Sequence, residues 1–90
     1  MKKIEVYTKS YCPYCARALE LLQIKGVDYS LYDVSADPAK ELEMQERSGQ
    51  ETVPEIFVEG TLLGGCAELF WMDEKGELDR LLGLRAGCGE

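Results

Sequence analysis

Residues 3–8, KIEVYT, alternate: Ile4, Val6 and Thr8 share one face, Glu5 and Tyr7 the other. A period of two predicts a strand. From residue 13 the period changes. Arg17, Glu20 and Gln23 form a narrow polar stripe at spacing three, while Ala18, Leu19, Leu21, Leu22 and Ile24 cover the remaining faces. So wide an apolar arc predicts a helix over 13–25, pressed against a sheet with neighbours on both sides. Gly26 stops it. VDYSLYDV at 27–34 reads as a second strand. Asp37 and Pro38 supply a cap and a first helical position. The helix they open carries Leu42 and Met44 as a modest apolar face and ends at Gly49. Residues 55–58 and 61–64 read as a hairpin turning at Glu59 and Gly60. From Cys66 one or two helices follow, broken near Gly76, with Phe70 and Trp71 expected in the core.

The order is β-α-β-α-β-β-α. The first βαβ unit demands a right-handed crossover and parallel strands, and the hairpin adds antiparallel ones. The expected fold is α/β, a four-stranded mixed sheet with helices on both faces. Ninety residues make one domain, expected over 1–82. The last stretch, 83–90, has no pattern and is expected to be a flexible tail. A 46% hydrophobic content suffices for a small core.

Charge and length remove several classes. No apolar run approaches the ~20 residues of a membrane span. The start, MKKIEVY, lacks the apolar block of a secretory signal. A net charge of −7 leaves no basic surface for nucleic acid; otherwise the acidity reads as solubility. The expectation is a soluble, cytoplasmic monomer with no nucleic-acid or membrane partner.

The cysteines change the picture. There are four, at 12, 15, 66 and 88, and no histidine. A zinc site would need all four thiolates, and a zinc ribbon wants two close pairs where this chain has one. No metal is expected. Without a secretion signal, a disulfide framework gives way to redox chemistry. Cys12-Pro13-Tyr14-Cys15 sits at the strand-to-helix junction. Pro13 fits the first helical position, which makes Cys12 the cap. A cap side chain accepts hydrogen bonds from amides just inside the helix, here those of Tyr14 and Cys15, and the helix dipole adds positive potential. Both favour a thiolate, with a pKa below the free value of ~8.5. Lys9 adds positive potential. Cys15 lies on the face continued by Leu19 and Leu22, so it should be more buried and less acidic. An exposed thiolate that attacks and a shielded thiol that resolves are what thiol–disulfide exchange requires. The rival readings are an inert buried pair or a staple, and a staple across two residues closes too small a loop to stabilise much.

Three stretches, YTKSYCPYC at 7–15, TVPEIFV at 52–58 and LGGCAEL at 63–69, occur in an order and spacing that resembles the dithiol glutaredoxins from about residue 3 to 82. The resemblance implies a thioredoxin-like fold. It also implies an enzyme that reduces protein disulfides and glutathione mixed disulfides, with glutathione as cosubstrate, Cys12 as nucleophile and Cys15 as resolving thiol. Its partners would be glutathione and disulfide-containing or glutathionylated proteins. Pro54 matches a proline that is cis in the family and leaves the Val53 backbone free to pair with an extended substrate. From the residues alone it is a strand-entry proline. The glutathione site implied by the family takes in Lys9, for the glycyl carboxylate, and Tyr14, lining the groove. It continues through Thr52, Val53 and Pro54. It ends at Gly65, Cys66, Ala67 and Glu68, where helix amides hold the γ-glutamyl carboxylate. Cys66 is either a glutathionylation site or a small buried packing residue. Cys88, in the tail, is assigned no catalytic part and could form intermolecular disulfides.

Two departures weaken the expected grip on glutathione. Ala67 stands where many members have an aspartate that meets the ligand ammonium, so that contact is missing or moved to Glu68. Gln50 and Glu51 stand where the family is often basic, and Glu51 should repel an anionic tripeptide. Two alternatives stay open. One is a glutaredoxin-like redoxin reduced by thioredoxin reductase. The other is a carrier of an iron–sulfur cluster ligated by Cys12 and glutathione. Pro13 argues against the second, because it stiffens the loop and removes a backbone donor.

Overall fold

The structure is a computed structural model, and residues 3–83 are described. The expected tail, apart from Gly83, lies outside them, as does Cys88. The elements are β1 (Ile4–Thr8), α1 (Pro13–Lys25), β2 (Ser30–Asp33), α2 (Pro38–Ser48), β3 (Glu55–Val58), β4 (Thr61–Gly64), α3 (Cys66–Glu74) and α4 (Leu78–Leu81). The strands form one sheet in the order β2-β1-β3-β4. β1 pairs in parallel with β2 and antiparallel with β3, and β3 pairs antiparallel with β4. This is the mixed four-stranded sheet that the alternation and hairpin predicted.

Both faces of the sheet are covered, so all five residues of β1 are buried. Ile4 and Val6 face a cluster with Ala18, Leu21 and Leu22 of α1, Ile56 of β3, Leu69 of α3 and Leu78 of α4. Tyr7 faces the opposite side, with Val34, Met44 of α2 and Phe57. Glu5 shares that side and survives burial because Arg47 of α2 donates to it at 3.0 Å, which holds its carboxyl below the usual range. Arg47 also donates to the Tyr7 hydroxyl at 2.7 Å. One side chain thus ties α2 to the central strand through two buried polar groups, where an unmet partner would be costly.

Local chemistry closes the elements. Asp37 accepts hydrogen bonds from the Ala39 and Lys40 amides at 3.1 and 3.3 Å, the side-chain cap that its position predicted. Glu59 and Gly60 have φ of 54° and 81°, the two left-handed residues of a type I′ hairpin.

Four expectations need correction. β2 begins at Ser30, not Val27. The Val27 amide bonds to the Leu22 carbonyl at 3.4 Å and that of Gly26 to Gln23 at 3.0 Å, so Val27 belongs to the closing turn of α1. Ile24 is exposed, because Cys15, Ala18, Leu21 and Leu22 set the inner face of α1 and Ile24 falls outside it. Leu42 is exposed while Met44 is buried; two residues at ~100° each point nearly opposite ways. Phe70 and Trp71 are 41% and 55% exposed, not core. Cys66, Leu69 and Met72, at spacing three, form the inward face of α3, which turns residues 70 and 71 outward.

Candidate active site

Cys12 caps α1 with extended backbone (φ −96°, ψ 116°), and Pro13 takes the first helical position. Its side chain is half-buried at the rim, while Cys15 is buried. The expected side-chain cap is not formed: the Cys12 sulfur accepts no capping hydrogen bond from the helix amides, and its thiol points to the Val53 carbonyl at 4.0 Å. Partial burial pushes its pKa up. The Cys15 amide, the Cys15 thiol, the Tyr14 amide and the Lys9 charge outweigh that and hold it below the ordinary value. Cys15 goes the other way. Burial first, then its hydrogen bond to Cys12 and the Cys12 and Cys66 charges, push its thiol up to about 12. One sulfur is ready to ionise and the one beside it is held as a thiol.

A cleft of about 500 Å3 is built from three separate segments. Tyr14 and Arg17 come from the first turns of α1, Thr52, Val53 and Pro54 from the loop before β3, and Gly65 to Glu68 with Phe70 from the start of α3. The Val53–Pro54 bond is cis. Glycine is needed where α3 meets this loop. A Cβ on Gly65 would sit 3.1 Å from the Pro54 carbonyl oxygen. One on Gly64, whose φ is +136°, would sit 2.7 Å from the Glu68 Cβ. The amide of Gly65, the cap residue of α3, donates to the Glu68 carboxylate at 2.8 Å. Behind the loop, Thr52 donates to the buried Glu55 carboxylate at 2.7 Å. Cys66 is half-buried, packs on the core and faces the cleft. Burial raises its pKa, with the Arg17 charge opposing.

A family model for glutaredoxin matches residues 4–63. Glutaredoxin 3 of Escherichia coli (strain K12) is 46% identical over 82 residues, covering 91% of this chain and 99% of that protein. The chain belongs to the glutaredoxin family. The solution structure of glutaredoxin from Brucella melitensis superposes with a TM-score of 0.80 at 46% identity, covering 91% of this chain and 89% of that one. A buckwheat glutaredoxin–glutathione complex superposes at 0.82 with 28% identity, covering 91% and 77%. The fold is thioredoxin-like, and the activity of this glutaredoxin is glutathione-dependent thiol–disulfide exchange.

Of the residues singled out for glutathione in this glutaredoxin, the cleft gathers all but Lys9. The Lys9 ammonium lies 3.8 Å from Glu41 of α2. Two cleft residues escaped the sequence reading, Arg17 and Phe70. Each lies three residues beyond one that was named, Tyr14 and Ala67. A residue one helical turn along shares the same face, and that was the available signal.

Proposed function

We propose that Cys12 is the nucleophile and Cys15 the resolving thiol, with glutathione held in the cleft between α1, the Thr52–Pro54 loop and α3. The opposed ionisation of the two thiols carries this reading. With a glutathione mixed disulfide, the Cys12 thiolate attacks the glutathione sulfur. A Cys12–glutathione disulfide forms and the target leaves as a thiolate. A second glutathione thiolate attacks the glutathione sulfur of that disulfide, giving oxidised glutathione and restoring the Cys12 thiolate. With a protein disulfide, Cys12 bonds to one target sulfur and releases the other. Cys15 then attacks the Cys12 sulfur, expelling the second target thiolate and leaving a Cys12–Cys15 disulfide for two glutathiones to reduce.

The site also sets the order of events. Burial does most to keep the Cys15 proton in place, and while Cys12 is a thiolate its hydrogen bond and its charge add to that. Once Cys12 is in a mixed disulfide both contributions vanish, and Cys15 becomes easier to ionise when it is needed.

Ligand contacts follow from placement. The Val53 backbone, beside Cys12, pairs with the ligand backbone in the manner of strand addition. Arg17 offers a cation to a ligand carboxylate. Lys9 joins it by leaving Glu41, since a surface pair at that distance holds little. Among the described residues no helix is long and apolar enough to cross a membrane. Reduction by a glutathione pool suits the cytoplasm, where the protein works as a monomer.

Serine substitutions separate the roles. Cys12→Ser abolishes both reductions. Cys15→Ser spares turnover of a small glutathione mixed disulfide and impairs protein-disulfide reduction. Equal loss of both in Cys15→Ser refutes the assignment. Supplying electrons in parallel assays from glutathione with its reductase, or from thioredoxin reductase, checks the reducing system.

A further inference from the structure

Phe70 and Trp71 are large apolar side chains that the core does not use. The Trp71 ring lines two shallow hollows, one with Ala67 and Glu68, the other with Ala67, Phe70, Asp73 and Glu74. Ala67, Glu68 and Phe70 also line the cleft, whose Val53 carbonyl lies 4.0 Å from the Cys12 sulfur. The catalytic cleft therefore continues, without a break in its lining residues, onto the outer face of α3.

That extension carries a chemical preference. The Lys75 ammonium already sits 4.4 Å from the centre of the Trp71 ring, yet Trp71 as a residue stays more than half exposed. A tryptophan face attracts a lysine or arginine cation, and an incoming one takes the place of the Lys75 ammonium on the ring. Glu68 and Glu74 are exposed along the same path, and the chain as a whole carries −7. Asp73 contributes less, because Lys25 holds it at 2.6 Å.

We propose that the outer face of α3, centred on Trp71, docks the polypeptide flanking the target cysteine and selects segments bearing lysine or arginine. With a glutathionylated target, glutathione fills the cleft as far as Ala67 and Glu68. The target sulfur sits outside the glutathione sulfur, and the target chain passes over Phe70 so that a flanking cation rests between Trp71 and Glu74. This rests on the reading that Cys12 attacks disulfides presented in the cleft. A second copy of the chain is a poor occupant, since two chains of net charge −7 repel each other.

The test uses two glutathionylated peptides of equal length, one with lysines and arginines flanking its cysteine and one with glutamates. The mixed disulfide of glutathione and 2-mercaptoethanol, which has no polypeptide flanking the target sulfur, serves as a third substrate. The full chain should favour the basic peptide in kcat/KM at low ionic strength. Trp71→Ala, an exposed position outside the cleft lining, should lower kcat/KM for the basic peptide by about twofold to fivefold, the scale of an exposed cation–π contact. The loss should appear in KM, with the small substrate unaffected. Equal handling of the two peptides overturns the proposal, as does a parallel fall on all three substrates. A Trp71-dependent dimer in sedimentation also overturns it and assigns the face to a second copy. Failure of the unsubstituted protein on the small substrate overturns the Cys12 reading itself, and this proposal with it.

Discussion

Glu55 stands directly after Pro54 and is 1% exposed. One carboxylate oxygen accepts from Thr52 at 2.7 Å, and the other is buried with no hydrogen-bond partner. Burial raises the pKa of this group above its ordinary 4.5; the Thr52 hydroxyl opposes that rise and the Glu68 charge adds to it. A raised carboxyl pKa means that the folded state holds the proton more tightly than the unfolded chain. The ionised form therefore weakens the fold. Any stability that the protonated group confers is fully present below the unfolded pKa, near 4.5. It is lost as pH rises through the higher folded value, and above that value the penalty is constant.

Glu55→Gln removes the charge and keeps the shape. The amide oxygen can still accept from Thr52. The penalty relieved is that of one buried, unpartnered charged oxygen, on the order of 1–3 kcal/mol. Urea denaturation under reducing conditions at pH 4, 6 and 8 measures it. The variant should match the parent at pH 4 and exceed it at pH 8, with the midpoint moving and the slope unchanged. Groups common to both proteins cancel in the difference. A stability difference that is flat with pH, or a variant weaker at pH 8, refutes the reasoning. Because Thr52 and Pro54 form one wall of the cleft, the same substitution shows how much of that wall depends on the buried carboxylate behind it.

Two further outcomes are expected. The rate of Cys12 alkylation by iodoacetamide should titrate with a midpoint below the free thiol value of ~8.5, and Lys9→Gln should move that midpoint upward; an unshifted midpoint in the parent protein removes the activated thiolate. Glu51→Arg should lower the KM for a glutathione mixed disulfide within about fivefold, the ceiling for an exposed charge, and the gain should shrink as salt rises; an unchanged or higher KM refutes the repulsion assigned to Glu51.

The start of α1, with Cys12 at its cap, was legible in the sequence because what sets it is local. Pro13 fixes the start of α1, and the amides of Tyr14 and Cys15 lie two and three residues from Cys12. No distant contact is needed to read that end of the helix. The hairpin was legible for the same reason, since Glu59 and Gly60 close it between adjacent strands. The alternation in β1 separated its two faces correctly. It could not show that both are buried, because α2 arrives from the far side and Arg47 supplies the partner that lets Glu5 stay there.

What resisted reading depends on helical phase and on close approach. Apolar character does not say which face of a helix meets the core. In α3 the inward face is set by Cys66, Leu69 and Met72, and that leaves Phe70 and Trp71 on the surface beside the cleft. The narrowness at Gly65 is set by the Pro54 carbonyl, eleven positions away in sequence. The cleft is assembled from three segments, and its least legible members, Arg17 and Phe70, each lie one turn beyond a motif residue. The division has a physical cause. Thiol reactivity is set within one helical turn, so a short motif can carry it. Selection among targets is set by which side chains the packing of α1 and α3 leaves facing outward around that motif. Chains sharing Cys-Pro-Tyr-Cys can therefore share the chemistry while differing, at positions such as Arg17 and Trp71, in what they bring to it.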